Sequence, residues 1–273
     1  MKKITIITPC YNAERFIKDT AETVVNQTAV LSNRADLEYI ICDGCSFDNT
    51  IGIIKDLKSP FIKLISEKDL GMYDALAKGL KMAEGDICAY INAGDYYSRH
   101  AFDIVLDIFE QKNVKWLTGL NVFYNENSQI VGVFLPYKYR NSLIKCGYYG
   151  SKLPYIQQES TFWHSSLNKL LDFNVLKKFK YAGDYYLWHQ FSEYVELKIV
   201  EAYLGGFKIH KGQLSSNHQG YREEVNIIRQ NPNIMNFMLC YMDKILWKVP
   251  GKIKKLLNKE GLFRYNHELQ KWI

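Results

Sequence analysis

Apolar residues in the first third of the chain alternate between two rhythms. Lys3-Ile4-Thr5-Ile6-Ile7-Thr8 reads as a buried strand, and after Pro9-Cys10-Tyr11-Asn12 the apolar positions Phe16, Ile17, Ala21, Val24 and Val25 fall at helical spacing. This β-loop-α unit repeats. A strand over 37–42 leads through Asp43-Gly44-Cys45-Ser46 to a helix over 48–57, and a strand over 61–66 leads to a helix over 72–83. A fourth strand, Ile87-Cys88-Ala89-Tyr90-Ile91, ends in Asn92-Ala93-Gly94-Asp95. Strands alternating with short helices predict a mostly parallel sheet with right-handed crossovers and helices on both faces, a Rossmann-like α/β layering.

After a helix over 101–111 the texture changes. Apolar runs over 116–123 and 129–135 flank Asn125-Glu126-Asn127-Ser128, which predicts a hairpin and makes the sheet mixed. Residues 136–160, rich in Tyr, Lys and Gly, predict irregular structure over one face. A helix over 184–194 and a strand over 197–203 follow. The main domain is expected to span 1–216. Residues 217–273 read as a C-terminal helical extension, broken at Pro232 and ending in a basic, amphipathic stretch from Ile245 to Leu257.

At 273 residues and 47% hydrophobic, the chain can bury one substantial core. Its net charge of +6 is spread along the sequence except near the end. That calls for no nucleic-acid partner, and it suits a phosphate-bearing substrate. The six cysteines are scattered, and a core of this size needs no staples, so reduced thiols in the cytoplasm are expected. Cys42 and Cys45 have C-x-x-C spacing without a second pair, and neither zinc nor redox use is expected. The first apolar run breaks at Pro9, too early for a signal peptide, and no window approaches about 18 uninterrupted apolar residues.

Ligands of open α/β sheets bind beyond the carboxyl ends of the strands, and a Gly before an acidic residue lets the backbone turn and approach a phosphate. Asp95 is therefore a metal-ligand candidate. Five segments stand in order: Thr8-Pro9-Cys10-Tyr11-Asn12-Ala13, Asp43 to Thr50, Asp69-Leu70-Gly71-Met72-Tyr73-Asp74-Ala75, Asn92 to Asp95, and Asp184-Tyr185-Tyr186-Leu187-Trp188. With these, the chain resembles the family 2 nucleotide-sugar glycosyltransferases, inverting enzymes of the GT-A fold, over roughly residues 3–216.

The resemblance implies nucleoside contacts at Thr8, Tyr11 and Asn12, and it gives Asp43 the imide N–H of a pyrimidine base. Lys68 and Asp69 then border the ribose and diphosphate. Asn92-Ala93-Gly94-Asp95 departs from the family's Asp-x-Asp signature, with Asn first and one extra residue, so Asp95 is the one carboxylate it supplies for Mn²⁺ or Mg²⁺. His210 and His218 are both available to complete the metal shell, and spacing chooses neither. Asp184 matches the general base, while Gln158, Glu159 and Trp188 fall on the acceptor side. For Asp43, Asp74 and Asp184, helix capping is the plain alternative.

The implied activity is inverting transfer of a hexosyl or N-acetylhexosaminyl group from a UDP-linked donor to a hydroxyl of a glycan or lipid-linked oligosaccharide, in surface polysaccharide biosynthesis. The tail suits an anionic membrane surface, which would put the protein on the inner face of the membrane, or packing on protein; both stay open. A catalytically silent nucleotide-sugar-binding subunit is the rival from another class, and it would not need Asp184. A nucleotidyltransferase lacks support without a Gly-rich basic phosphate loop, as does a dehydrogenase without G-x-G-x-x-G.

Overall fold

The computed structural model describes residues 1–111, 114–210 and 212–273. Its first half is the expected β-loop-α series: β1 (Lys2–Cys10), α1 (Ile17–Val25), α2 (Thr28–Leu31), β2 (Ala35–Asp43), α3 (Thr50–Asp56), β3 (Ile62–Ser66), α4 (Met72–Met82) and β4 (Ile87–Tyr90). Then come β5 (Tyr96–Tyr97), α5 (Ala101–Gln111), β6 (Trp116–Thr118), β7 (Asn121–Tyr124), β8 (Ile130–Phe134) and α6 (Asn141–Lys145). The second half continues with β9 (Thr161–His164), α7 (Phe173–Leu176), α8 (Gly183–Ser192), β10 (Lys198–Val200) and β11 (Gly205–Lys208). Past residue 216 lie α9 (His218–Ile228), α10 (Ile234–Leu246), α11 (Gly251–Leu257) and the short strands β12 (Leu262–Phe263), β13 (Tyr265–Asn266) and β14 (Lys271–Trp272).

One eight-stranded sheet runs β12-β10-β6-β9-β4-β1-β2-β3, and a four-stranded one runs β5-β11-β7-β8. The strands of the first third pair in parallel, as their near-continuous apolar runs require of a sheet covered on both faces. Register then decides the site. Cys10 pairs with Asp43, Asp43 with Ser66, and Ile7 with Tyr90, so the carboxyl ends of four strands and their loops come out along one edge. The interruption is β9, antiparallel to both β4 and β6. Because it runs backwards, the residues just before it, Gln158 to Ser160, arrive at that same edge.

The predicted hairpin forms from β7 and β8. The single run read over 116–123 is two strands in different sheets, and the run over 161–164 is a strand that the pattern did not single out. The C-terminal segment is tied to the rest: Arg140 Nε donates to both carboxylate oxygens of Asp243 on α10, and β12 extends the main sheet beside β10. All six cysteines are free thiols. Among the described residues, no helix is long and apolar enough to cross a membrane.

Candidate active site

The loops after β1, β2 and β3 form one end of the edge. Asp43 is buried; its carboxylate accepts from the Ser46 amide at 3.0 Å, the Ser66 hydroxyl at 2.7 Å and the Ser46 hydroxyl, with the Cys10 thiol at 3.9 Å. A carboxylate offers about four lone-pair sites, so a base N–H must take over a site now held by a rotatable hydroxyl or the thiol. Asn12 adopts a left-handed φ of 49°, which its short polar side chain tolerates, and its Oδ1 accepts from the Phe47 amide at 3.1 Å. It stitches the first loop to the second. Thr8 is fully buried and its hydroxyl pairs with that of Tyr39 at 3.0 Å, so its side chain supports the sheet rather than facing the loops.

Tyr11 is 59% exposed, and beside it at 6.1 Å, edge to face, is Phe47, 82% exposed. The sequence reading passed over Phe47. The available signal was a large aromatic in a loop of Gly, Ser and Asp, where no packing partner was at hand. Asp69 accepts from the Gly71 amide at 2.9 Å and lies against Gly44, and burial raises its pKa. Lys68 is exposed, with its carbonyl held by Lys78 Nζ at 2.7 Å. Asp74 lies in the first turn of α4 and accepts from the Leu70 amide at 3.0 Å.

In the middle of the edge sits Asp95, 4% exposed, its Oδ1 accepting from the Lys208 amide at 2.9 Å and its Oδ2 facing Gln158 Nε2 at 3.5 Å. It does not cap α5. β11 reaches it by a close approach: a Cβ on Gly205 would lie 1.9 Å from the Glu159 carbonyl oxygen, so only glycine lets the two backbones pass. Two residues beyond Lys208, His210 stacks on Phe16 at 4.9 Å, and Phe16 in turn borders the Gly94 turn. His218 lies elsewhere, 3.4 Å from the Tyr155 hydroxyl. His210 thus lies near the Asp95 turn, and His218 lies beside Tyr155.

Asp184 stands in the first turn of α8. Ala182 at the N-cap gives no side-chain bond; instead Asp184 Oδ1 accepts from the Tyr185 amide at 2.7 Å and faces the Tyr73 hydroxyl at 3.5 Å. The turn before it is held by Glu224 of α9, whose carboxylate takes the amides of Lys180, Tyr181 and Ala182, each at 2.8 Å. Gly183 makes room for Tyr73: a Cβ there would sit 2.4 Å from that ring. Burial lifts the Asp184 pKa to about 7, with Glu224 adding to it against the hydrogen bonds. Trp188 is a correction to the acceptor-side expectation. It is 2% exposed, stacked on Trp116 at 5.5 Å and packed among Trp163 and Phe191, so it belongs to the core.

Glu159 is buried, with its backbone carbonyl against Gly205. Burial pushes its carboxyl well above the usual range, the Asp95 charge pushes further, and the Asp184 charge adds to that. Burial likewise raises Asp95 itself. The side-chain oxygens Asn92 Oδ1, Gln158 Oε1 and Glu159 Oε1 are buried with no hydrogen-bond partner among the described residues. Side-chain oxygens of this kind are what Mg²⁺ or Mn²⁺ takes, and Gln158 lies directly beside Asp95. Among the described residues, no three His, Cys, Asp or Glu side chains converge tightly enough to hold a metal ion on their own. Any cation bound here would need further ligands, such as phosphate oxygens, to complete its shell.

The family model for glycosyl transferase family 2 matches residues 5–178, a span that takes in the loops after β1, β2 and β3 and the Asp95 turn. The chain belongs to that family and is a glycosyltransferase. It is 29% identical over 193 residues to a UDP-Glc:alpha-D-GlcNAc-diphosphoundecaprenol beta-1,3-glucosyltransferase of Escherichia coli, covering 68% of each chain. A second Escherichia coli enzyme of that description is 26% identical over 224 residues, covering 80% of this chain and 81% of its own. Staphylococcus aureus TarS 1–349 in complex with UDP-GlcNAc superposes with a TM-score of 0.62 at 15% identity, covering 94% of this chain and 71% of that one. A Pyrobaculum calidifontis mannosyltransferase in complex with GDP-Man and Mn²⁺ gives 0.58 at 12% identity, over 93% and 72%. The GT-A fold is shared with both.

Proposed function

We propose that the chain is an inverting, metal-assisted glycosyltransferase that moves a hexosyl or N-acetylhexosaminyl group from a UDP-linked donor to a hydroxyl of a lipid-linked glycan in surface polysaccharide biosynthesis. The observation that carries the reading is the pair of carboxylates on the loops and helix start at the carboxyl edge of the sheet: Asp95, buried and held by the Lys208 amide beside Gln158, and Asp184 in the first turn of α8. Two acids with separate tasks then act on one bond.

Asp184 takes the proton of the acceptor hydroxyl as its oxygen attacks the anomeric carbon, and the bond to the diphosphate breaks with its electron pair leaving on phosphate oxygen. A single displacement inverts the centre. A general base works best with a pKa near the operating pH, which burial gives Asp184. Tyr11 and Phe47 offer ring faces to the base, Asp43 an acceptor, and Lys68 with Asp69 borders the diphosphate. Asp95, the orphaned oxygens at Asn92, Gln158 and Glu159, and His210 are the groups that would hold a divalent cation. When bound, such a cation supplies neutralisation of the charge gathering on the departing diphosphate.

The lipid-linked acceptor and the uridine donor rest on the two Escherichia coli relatives as named. The test is transfer from a panel of UDP-sugars to a diphospholipid-linked sugar, with the product anomer read by NMR. A product with the anomeric configuration opposite to the donor's is expected; a retained configuration, or binding of UDP without any transfer, overturns the reading.

A further inference from the structure

α10 is apolar on two sides, and only one of them is covered. Its inner side is anchored: Cys240 and Asp243 are buried, Asp243 takes both Arg140 Nε bonds at 3.1 and 2.9 Å, and Trp247 just beyond packs against Tyr139 at 5.4 Å. The outer side of such a helix is ordinarily polar. Here Ile234, Met238, Tyr241 and Ile245, at i, i+4, i+7 and i+11, are 80, 62, 72 and 54% exposed. A helix apolar all round is one that something covers, and contiguous exposed apolar surface marks a binding face.

Charge identifies the cover. From 234 to 259 the chain carries one acid, Asp243, which is buried under Arg140, and six lysines. Lys254 turns inward to the Leu135 carbonyl at 2.8 Å and Lys255 pairs with Glu201, but Lys244, Lys248, Lys252 and Lys259 are exposed. Lys244 and Lys248, one helical turn apart, flank an open crevice of about 450 Å³ lined by Tyr241, Ile245 and Val249. A second copy of the chain would have to press one lysine-bordered face on another. An anionic lipid surface meets both demands, taking apolar side chains at the acyl boundary and lysines at its phosphates.

We propose that the outer face of α10 docks this protein on an anionic bilayer, with Ile234, Met238, Tyr241 and Ile245 inserted and Lys244 and Lys248 against lipid phosphate. The inference deepens the reading of a lipid-linked acceptor, since it brings the enzyme to the surface where such an acceptor resides. It is also more specific than the sequence reading, which placed the amphipathic stretch from Ile245 onward; most of the exposed apolar face lies before it.

The test is co-sedimentation of the full chain with vesicles of phosphatidylglycerol in phosphatidylcholine, against phosphatidylcholine alone. Partition is expected at least tenfold stronger on the anionic vesicles and weakened by salt. The exposed double variant Met238→Glu/Ile245→Glu should lower it at least tenfold. Lys244→Glu/Lys248→Glu should lower it about twentyfold or more, since each surface lysine contributes roughly fivefold in partition. Circular dichroism and UDP-induced thermal stabilisation should match wild type in both variants, because these side chains face water. Equal partition on both vesicle types, no partition, or variants that bind as well as wild type overturns the proposal. So does a dimer in light scattering that Met238→Glu/Ile245→Glu dissolves, which assigns the face to a second copy. UDP binding by the same samples is indifferent to all of these outcomes, so failure here leaves the reading of the active site standing.

Discussion

Replacing Asp184 by Asn should cost activity and add stability, and both effects follow from its burial. The carboxyl titrates near 7 in the folded chain against an ordinary 3.8. A difference of about three pH units corresponds to about 4 kcal/mol between protonation states. For an acid whose folded pKa is raised, the folded state holds its proton longer than the unfolded chain does. The stability this contributes is complete below about pH 4 and lost as pH rises to about 7, so above 7 the native state carries an ionised, poorly solvated carboxylate. Asn removes that burden while its Oδ1 can still accept from the Tyr185 amide and the Tyr73 hydroxyl.

Because Asp184 is only partly screened from water, we expect about 2 kcal/mol of the full figure at pH 8. For a chain of this size that is a rise in Tm of roughly 4–8 °C. The assay is thermal unfolding of both proteins from pH 5 to pH 8, where the advantage of Asp184→Asn should grow with pH. The same variant should keep wild-type affinity for UDP by calorimetry and lose a factor of about 10² to 10⁴ in kcat. In the wild type, kcat/KM should fall about tenfold per pH unit below 7 as the base is protonated. A stability difference that stays flat across this range, or full activity in the variant, refutes the reasoning.

Two further perturbations test how the site is held. Glu224→Ala removes the acceptor of three amides ahead of Asp184; stability should fall by about 2 kcal/mol, with kcat lowered and UDP affinity unchanged, whereas unchanged kcat would detach that carboxylate from the positioning of Asp184. Gly205→Ala drives a methyl into the Glu159 carbonyl and should destabilise the fold by at least about 3 kcal/mol, read by denaturant unfolding; a well-folded, active variant would contradict the close approach of β11.

The parallel half of the fold was legible because its signals are local. Apolar periods of two kinds, punctuated by Pro9, Gly44 and Gly71, fix β1 to β4 and their helices within a residue or two, and the register of such strands carries Asp43, Asp69 and Asp95 to one edge. What stayed hidden depends on contacts far apart in sequence. β9 is a four-residue strand whose antiparallel direction is set by its neighbours β4 and β6, and that direction alone brings Gln158 and Glu159 to Asp95. Glu224 lies 42 residues after Ala182, the last residue of the segment it holds, on a helix with no motif of its own. Trp188 was expected on the acceptor side, but aromatic rings serve both surfaces and cores, and only the packing of Trp116 and Trp163 tells which. Thr8 was expected to contact the nucleoside, while its hydroxyl turns inward to Tyr39.

The central claim is that the Asp95 turn and the start of α8 serve one anomeric carbon. Its most direct test is a crystal of Asp184→Asn grown with an unhydrolysed UDP-sugar and Mn²⁺, with the metal located by its anomalous scattering. The account predicts an anomalous peak bridging Asp95 and the diphosphate, with the anomeric carbon between that peak and the amide at position 184. Manganese bound away from Asp95, or a sugar directed away from α8, contradicts it.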